Sequence, residues 1–444
     1  MTESQASEFI STRLHRIAEL AKQSPQMSFR SLNHYLTLDL LRLAYSQTRK
    51  SGAVGIDSQT AQEFAVNLED NLRSLLERAK SGSYRAPAVR RTYILKGDGR
   101  SKRPLGIPTF GDKVLQRAVV MILEPIYEQD FLSCSYGYRK KHTPHQALES
   151  LRNSVMRMRG GWVLDVDVRK FFDTLDHRHL MEILRRRVSD GVILRLIGKW
   201  LNAGVLEDGE LSYPEAGTPQ GGVISPLLAN IYLHDVLDVW FEQMVRPVMY
   251  GPVHLVRYAD DFVMVFARED DARRVWEVLP KRFEKYGLRL HPEKTRLLAF
   301  RRPSGRAGRS DPSGEHFAFL GFTHYWARSR RGFWVVKQKT AKDRLARAVR
   351  KVYEWCRLHR HWKIREQHSA LCVKLRGHLG YYGITGNSRC LWRFRRAMEK
   401  AWFKWLNRRS QRPKSWAWFQ RVLQRYPLPP AIAVHSDLRR PANP

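Results

Sequence analysis

The chain has 444 residues, 43% of them hydrophobic, and its 78 Lys and Arg against 43 Asp and Glu give a formal net charge of +35. This hydrophobic content supports a large core and excludes wholesale disorder. A compact protein with so much positive charge repels itself, and a polyanion such as nucleic acid would relieve that repulsion. Aromatic residues, 11% of the chain, suit stacking on unpaired bases. Association with ribosomes or a membrane surface stays open as another source of the charge.

The four cysteines, Cys134, Cys356, Cys372 and Cys390, form no C-x-x-C pair. We therefore expect no zinc site and a reducing compartment. No apolar stretch approaches the roughly 20 residues that span a bilayer, and the first residues resemble no signal peptide. These features predict a cytoplasmic protein with no membrane partner.

Apolar spacing predicts mostly helix over residues 1–85, including Leu36–Thr48 and Ala61–Ala79. Tyr84–Thr109 is typical of a β-hairpin, because β-forming residues flank a Gly97-Asp98-Gly99 turn. The same periodicity predicts a helix over Asp112–Tyr127.

The middle of the chain alternates predicted strands and helices. Trp162–Val168 alternates like a strand, and a helical stretch follows that ends near Val188. Pro226–Met244 has the spacing of a long amphipathic helix, and 270–287 has that of a shorter one. Two β-rich runs, His254–Tyr258 and Phe262–Phe266, flank an acidic pair.

The last third is distinguished by its charge. Gly, Pro, Ser and Arg cluster over Arg301–Gly314, which indicates an exposed loop. Residues 341–410 hold 19 Lys and Arg against 4 Asp and Glu, and their spacing predicts helices interrupted at Gly377–Asn387. The Pro-rich end, Tyr426–Pro444, is expected to be an extended tail.

The strongest chemical signal is Tyr258-Ala259-Asp260-Asp261, with β-forming residues on both sides. A hairpin turn at this position points one carboxylate into a cleft and holds the other beside it, which suits Mg²⁺, a hard ion that takes oxygen ligands. A solvated Asp-Asp turn is the alternative, so this motif alone proves little.

Asp165 and Asp167 form a second acidic group and share one face of their predicted strand. Both are compatible with exposed alternating positions. However, an acid at the end of a strand, followed about 90 residues later by the Asp260-Asp261 hairpin, is the ligand set of two-metal phosphoryl transfer. In that chemistry one metal activates the attacking oxygen and the other stabilises the leaving oxygen.

These motifs, and the order in which they follow one another along the chain, resemble those of the reverse transcriptases and maturases encoded by bacterial group II introns. The matching segments spread over nearly the whole chain, which makes the resemblance far more specific than any single motif. They are Lys96 and Arg103 in the first hairpin, Ser135–Arg139, Asp167–Asp173, Gly217–Pro226, Tyr258–Asp261, Leu288–Thr295, Phe319–Phe322, Leu375–Gly383, Trp392–Arg396 and Trp402–Leu406.

The resemblance implies a metal site of two Mg²⁺ ions, with Mn²⁺ as a substitute. The implied catalytic residues and metal ligands are Asp167, Asp260 and Asp261, with the Val168 carbonyl oxygen as an extra ligand. Asp165 matches the family's ligands poorly, and so does Asp173. We therefore expect both to be structural.

The resemblance also implies residues that bind nucleotides and nucleic acid. Phe172 would exclude the ribose 2′-OH, with core packing as its alternative role, and Lys96 and Arg103 would neutralise phosphates. Gln220 completes the dNTP group. The residues implied for template and primer are Gly221, Gly222, Tyr258, Lys294, Leu320 and Gly321. Those implied for RNA binding by the maturase are Arg376, Tyr381, Tyr382, Arg393, Arg395, Arg396, Lys404, Arg408 and Arg409.

The implied fold is α+β: a right-hand polymerase with an antiparallel palm sheet, followed by an α-helical thumb or maturase domain. The expected division is an N-terminal extension at 1–85, fingers and palm at 86–325, thumb or maturase at 326–412 and a tail at 413–444. Many relatives carry an H-N-H endonuclease with cysteine pairs. Because no cysteine follows Cys390, we expect no endonuclease domain and no target cleavage.

The implied partners are group II intron RNA, an RNA template with a DNA primer, dNTPs and a DNA target site, in a bacterial ribonucleoprotein in the cytoplasm or at the nucleoid. A homodimer stays open. Three other functions also stay open: a splicing cofactor with a non-essential polymerase site, a domesticated reverse transcriptase for defence or repair, and an RNA-templated RNA polymerase. The last is disfavoured by Phe172.

Overall fold

The computed structural model describes residues 3–95, 101–207, 210–213, 216–217, 221–303, 315–409 and 411–435. It divides into two compact units, an N-terminal unit of residues 1–298 and a C-terminal unit of residues 299–444. In the part of the chain that the structure describes, no helix is both long and apolar enough to cross a membrane.

Helices dominate the N-terminal unit, and side-chain caps mark where several of them begin. The Thr109 hydroxyl caps the central helix, and Thr143 forms a capping box with Gln146 just before Pro144. The helices are α1 (Glu3–Gln23), α2 (Leu38–Gln47), α3 (Ala61–Val66), α4 (Leu68–Ser81), α5 (Phe110–Asp130), α6 (Pro144–Arg157), α7 (Phe171–Thr174), α8 (His177–Arg187), α9 (Gly191–Leu201), α10 (Ser225–Leu233) and α11 (Glu269–Lys285).

Two four-stranded sheets accompany these helices. The first has the order β2-β1-β4-β5, in which β1 pairs antiparallel with β2 and parallel with β4. The second has the order β6-β7-β3-β8, in which β7 pairs antiparallel with both β6 and β3. The strands are β1 (Val89–Leu95), β2 (Lys102–Ile107), β3 (Gly160–Val166), β4 (Val205–Glu207), β5 (Glu210–Ser212), β6 (Val253–Tyr258), β7 (Asp261–Phe266) and β8 (Arg296–Arg301).

The core of the N-terminal unit forms around α5, which is buried along most of its length. Leu115 of α5, Leu164 of β3 and Met264 of β7 are fully buried in one hydrophobic cluster. Since successive side chains of a strand point to opposite faces, Asp165 lies on the sheet face that points away from this core. The core therefore holds the second sheet from one side and leaves its acidic face for chemistry.

The C-terminal unit combines a small antiparallel sheet, of order β11-β10-β9, with helices that pack around Trp402 and Phe419. Its strands are β9 (Phe317–Phe319), β10 (Phe322–Arg328) and β11 (Trp334–Thr340). Its helices are α12 (Lys342–Leu358), α13 (Ile364–Tyr382), α14 (Ser388–Leu406) and α15 (Trp416–Arg425).

Most predicted elements are confirmed, including both hairpins of the N-terminal unit, the helix over Asp112–Tyr127 and the α+β class with antiparallel sheets. The helix expected over Ala61–Ala79 divides at Asn67, whose backbone leaves helical geometry. The helix expected over Pro226–Met244 starts as α10 but widens into π-helical turns at His234–Val239 and Phe241–Val245.

One expectation about the C-terminal unit is wrong, namely where its helices are interrupted. Helix α13 runs through Gly377, and the interruption begins only at Gly383. Gly377 borders open space, so the helix continues there on the packing of its neighbours Leu375 and Leu379. The helices expected over residues 341–410 are confirmed as α12, α13 and α14, of which the first begins at Lys342.

Candidate active site

A two-residue turn, Ala259-Asp260, joins β6 to β7 and presents adjacent carboxylates. Tyr258 pairs with Asp261 across the hairpin, and the strands behind the turn are largely buried. Ala259 has a φ of +58°, a left-handed conformation that costs an L-residue about 1 kcal/mol or more. The packing around this hairpin must therefore hold the turn in place.

The neighbouring strand brings a third carboxylate to the turn. Strand β3 pairs antiparallel with β7 in a register that sets Val166 opposite Phe262. One residue further along this register, Asp167 comes level with Asp261. The end of β3 and the tip of the hairpin thus gather Asp167, Asp260 and Asp261 on one edge of the sheet.

Backbone hydrogen bonds fix the chain just beyond β3. His291 N donates to the Asp167 carbonyl at 2.8 Å, and Arg169 N donates to the Arg289 carbonyl at 2.8 Å. These bonds flank the bridge between Val168 and Leu290. Because consecutive carbonyls of an extended chain point to opposite sides, the Val168 carbonyl points away from this bridge.

The carboxylates at this edge lie close enough to affect each other's pKa. Burial raises the pKa of Asp260, and the Asp167 charge raises it further, while Arg103 and Arg257 lower it. Burial also raises the pKa of Asp165, against the opposing effect of Arg296, whose Nη2 lies 3.0 Å from Asp165 Oδ2. The Asp165–Arg296 ion pair agrees with the structural role expected for Asp165.

A divalent cation fits this donor set. The Asp167 and Asp260 charges repel each other in a partly buried place, and a cation between them would relieve the repulsion. Lys294 Nζ lies 3.1 Å from Asp167 Oδ2, so a single positive charge is already close to the cluster. Among the described residues, however, no three His, Cys, Asp or Glu side chains form a group that could hold a metal by themselves.

Two further side chains act on the acidic edge. Arg103, exposed on β2, lowers the pKa of both Asp260 and Tyr138 through its charge. Burial raises the pKa of Tyr138, and Asp260 and Asp261 raise it further. Tyr138 has a φ of +58°, so it is another non-glycine residue held in a left-handed conformation beside this edge.

Phe172 lies close to the predicted glycine-rich loop. Phe171 is buried in the core, whereas Phe172 is only partly buried, with the two ring centroids 5.3 Å apart. A Cβ on Gly217 would come within 2.8 Å of the Phe172 carbonyl oxygen, and one on Gly221 within 2.7 Å of the Gly106 carbonyl oxygen. The loop therefore starts against Phe172 and returns against β2, with φ of +95° and +120° at its two glycines.

Lys96 and Gln220 are outside the described residues. Gly222 is buried next to Gln116, whose Oε1 accepts from Val223 N at 2.8 Å.

In the C-terminal unit, Leu320 and Gly321 form the turn between β9 and β10, with φ of +50° and +79°. The Tyr381 hydroxyl donates to the Leu320 carbonyl at 2.8 Å, and both Tyr381 and Tyr382 pack on the ring of Phe322. These tyrosines of α13, predicted to bind RNA, therefore pack on the β9–β10 hairpin of the same unit.

The predicted basic residues of the maturase segment divide into two groups. Arg395 and Arg396 each lie 3.2 Å from the buried carboxylate of Glu399, and Arg409 donates to the Trp362 carbonyl. The others are exposed: Arg376, Arg393, Lys404 and Arg408. Exposed basic side chains suit phosphate contacts, whereas the paired arginines also stabilise the helices.

Sequence reasoning missed several residues around the acidic turn, namely Ser135, Tyr138, Asn230, Asp238 and Arg257. Two of them lie in the Ser135–Arg139 motif and one directly precedes Tyr258, so closeness to the motifs was the available signal. Asp238 carried no such signal, because it is one polar position in an amphipathic helical stretch.

An antiparallel sheet that places a hairpin's two acids beside an acid at the end of the next strand is the arrangement of metal-dependent polymerases that join nucleotides. Comparison with family models defines the class further. Residues 94–324, more than half of the chain, match the reverse transcriptase (RNA-dependent DNA polymerase) family, and the chain belongs to that family.

Curated relatives agree with this assignment. Protein YkfC of Escherichia coli is 32% identical over 329 residues, which are 65% of this chain and 84% of the relative. Group II intron-encoded protein LtrA of Lactococcus lactis is 37% identical over 227 residues, 50% of this chain but only 37% of that relative. Nuclear intron maturase 4, mitochondrial, of Arabidopsis thaliana is 26% identical over 196 residues, 44% of this chain and 23% of the relative.

Proposed function

We propose that this protein is an RNA-directed DNA polymerase that copies group II intron RNA into DNA and also binds that RNA to aid its splicing and mobility. The observation that carries the proposal is the register of β3, β6 and β7, which gathers Asp167, Asp260 and Asp261 at one edge of an antiparallel sheet. The family match and the intron-encoded relatives support it.

Asp167, Asp260 and Asp261 hold two Mg²⁺ ions in this proposal, with the Val168 carbonyl as a further ligand and Mn²⁺ as a substitute. When bound, the ions supply activation of the primer 3′ oxygen and stabilisation of the leaving pyrophosphate. The orientation of the Val168 carbonyl, away from the Leu290 bridge, supports its role. Asp165, already paired with Arg296, orients the end of β3.

The incoming nucleotide lies between the first hairpin and the acidic edge. Arg103 offers a bidentate fork to the triphosphate, and its effect on the pKa of Asp260 supports a place near the metals. Phe172 excludes the 2′-OH of a ribonucleotide, and its partial exposure beside Gly217 supports this role. Lys96 and Gln220 join this group on their sequence motifs alone.

Template and primer contact Gly221, Gly222, Tyr258 and Lys294 in the N-terminal unit. In the C-terminal unit, considered by itself, the Leu320-Gly321 turn is the proposed nucleic-acid contact. Gly221 and Gly321 expose backbone in conformations that favour glycine, so a nucleic-acid strand can approach closely. The hand has fingers and palm at 86–325 after an extension at 1–85, and a thumb or maturase domain at 326–412 before a tail at 413–444.

The exposed basic residues of α13 and α14 bind the intron RNA. Arg376, Arg393 and Lys404 are exposed on these helices, Arg408 is exposed in the turn after α14, and all four supply phosphate contacts. Arg395, Arg396 and Arg409 contribute charge from partly buried positions. The remaining proposed partners are dNTPs, a DNA target site and a second copy of the chain, in a cytoplasmic ribonucleoprotein.

Primer extension on a poly(rA)/oligo(dT) duplex with dTTP and Mg²⁺ tests the polymerase. The native protein should extend the primer, and Asp260→Ala should lower the rate at least about a hundredfold, because it removes a metal ligand. Asp70→Ala, at an exposed acid of α4, is the matched control and should extend normally. A folded, RNA-binding native protein that extends no primer would refute the polymerase and leave the splicing cofactor as the function.

A further inference from the structure

A buried ion pair lies directly behind the acidic turn. Arg257, on β6, and Asp238, in the π-helical stretch after α10, have fully buried side chains. Arg257 Nε donates to Asp238 Oδ1 at 2.8 Å, and Nη2 donates to Asp238 Oδ2 at 2.5 Å. Such a pair gives little net stability over an apolar pair of similar volume, so its presence suggests a need for defined geometry.

The remaining donors of Arg257 reach three other segments. Nη1 donates to Asn230 Oδ1 at 2.9 Å and to the Ala259 carbonyl at 3.1 Å, and Nη2 also donates to Ser135 Oγ at 2.7 Å. A guanidinium carries five N–H donors, and all five are used here. Lysine cannot reproduce this fork, because its ammonium has three donors and no planar geometry.

Helix α10 and the π turns that follow it supply two of these acceptors, Asn230 and Asp238. Residues eight apart in a regular α-helix, such as Asn230 and Asp238, are rotated by about 80° about the axis. The wider π turns at His234–Val239 reduce this rotation and let both side chains reach one guanidinium. A π-helical insertion at such a place is typical of functional sites.

The network also clamps the turn from the other side. Asn230 Nδ2 donates to the Gly137 carbonyl at 2.7 Å, and Gly137 lies so close to the turn that a Cβ would come within 2.2 Å of Ala259 N. Ala259 is thus held between Gly137 and Arg257 in its left-handed conformation. The residue that follows it is Asp260.

We propose that Arg257 is a positioning residue: by joining Asp238, Asn230 and Ser135 to the Ala259 carbonyl, it holds the turn so that Asp260 and Asp261 meet Asp167 around the metal ions. This inference rests on the proposed polymerase function. The Arg257 side chain is fully buried and its five donors are bonded within the protein, so it acts on the carboxylates through the turn. Its loss lets the turn relax, which separates the carboxylates while the rest of the sheet stays folded.

Arg257→Lys is the test variant, and Arg187→Lys is its matched control. Arg187 also forms a two-bond pair with an aspartate, at 2.8 and 3.0 Å from the Asp130 oxygens, and donates to the carbonyls of Ala21, Ser24 and Met27. Both variants should lower the melting temperature, since each disrupts a buried guanidinium. Only Arg257→Lys should change the catalytic edge.

Two measurements separate positioning from stability. In steady-state extension below the melting transition, Arg257→Lys should lower kcat about ten- to a hundredfold without changing KM for dTTP, because a misplaced ligand slows chemistry. In an electron paramagnetic resonance titration with Mn²⁺ alone, the same variant should bind the ion about tenfold more weakly. The part of the Mn²⁺ signal that is lost in Asp260→Ala identifies binding at this site.

Each outcome decides the question. Native kcat and Mn²⁺ affinity in Arg257→Lys would overturn the inference, as would equal losses in Arg187→Lys. If Arg257→Lys does not fold, Ser135→Ala removes one acceptor and should show a smaller loss of the same kind, and no loss would overturn the inference. If the native protein extends no primer, the polymerase proposal fails, while the Mn²⁺ titration still tests the positioning.

Discussion

Phe171 and Phe172 are adjacent aromatic residues with different environments. Phe171 is 2% exposed in the core, whereas Phe172 is partly buried and borders the loop that begins at Gly217. The resemblance implied that Phe172 excludes the ribose 2′-OH, with core packing as its alternative role. The structure places Phe171 inside the core, whereas Phe172 packs against that core and stays partly exposed.

Phe172→Ala should lower the preference for dTTP over UTP about ten- to a hundredfold, because the bulky ring no longer excludes the 2′-OH. The ratio of kcat/KM for the two nucleotides measures this preference. Phe171→Leu is the control: it should cost less than about 1.5 kcal/mol of stability and leave the preference unchanged. An unchanged ratio in Phe172→Ala would exclude the ring as the selective element.

Asp112, at the start of α5, is a buried acid outside the acidic edge. Burial raises its pKa to about 7, although a hydrogen bond from the Tyr84 hydroxyl lowers it in part. Between about pH 4 and pH 7 the folded protein therefore holds a proton that the unfolded chain has lost. The free energy of unfolding should fall as pH rises through this range and then become level.

Asp112→Asn should remove this pH dependence, because the amide stays neutral at every pH. At pH 8 the variant should be about 1–3 kcal/mol more stable than the native protein, and at pH 4 the two should be nearly equal. Urea unfolding at both pH values measures the difference, with Asp70→Asn as the exposed control. If the difference in unfolding free energy between the native protein and the variant is the same at pH 4 and pH 8, the raised pKa of Asp112 is contradicted.

At the scale of residues, sequence patterns singled out Asp167, Asp260 and Asp261 as candidate metal ligands but missed the residues that hold their turn in place. The acids stand out because a turn between β-forming runs leaves few other roles for them. Arg257 sits in a strand like any basic residue of an exposed edge, and only its packing against Asp238 reveals that it is buried. Contacts between distant segments have no local signature.

At the scale of elements, the close contact between Gly137 and the hairpin turn depends on the missing side chain of glycine. Gly137→Ala places a Cβ 2.2 Å from Ala259 N, and backbone atoms cannot yield as a flexible side chain does. The variant should lose about 1–3 kcal/mol of stability and most of its primer extension.

Gly377→Ala is the matched control, since its added Cβ meets open space within α13. This change should stabilise the C-terminal unit by about 0.5–1 kcal/mol and leave extension intact. Thermal unfolding and extension rates of both variants test the pair. Native activity in Gly137→Ala would show that the turn tolerates displacement.

Strands and helices with a clear hydrophobic periodicity were predicted well. Elements whose form depends on contacts with distant segments were not. The β6–β7 hairpin follows from two β-rich runs around a short polar turn. The π turns after α10 have no such signal, because they serve the side chains of Asn230 and Asp238 rather than a local preference. The break in α13 was predicted too early, at Gly377, because the packing of Leu375 and Leu379 outweighs the low helix propensity of glycine.

For the whole molecule, the net charge of +35 predicts binding to RNA that depends steeply on salt. Each lost phosphate contact should lower the slope of log K against log salt by about 0.7–0.9. Arg393→Gln, at an exposed residue of α14, should show this change with native stability. Fluorescence anisotropy with a labelled intron RNA at several salt concentrations measures the slope.

Arg395→Gln is the comparison, because Arg395 lies 3.2 Å from the buried Glu399. It should lower the melting temperature more than Arg393→Gln does, since it leaves a buried carboxylate with one partner fewer. Equal slopes for the native protein and Arg393→Gln would place the RNA on another surface.

The most direct test of the central claim is whether the three aspartates act as one site. Single-turnover extension on an RNA template should be slowed at least about a hundredfold by Asp167→Ala and by Asp260→Ala, and the double variant should be hardly slower than either, because ligands of one centre are not additive. Losses that multiply in the double variant, or a native rate in Asp167→Ala, would contradict a shared metal centre.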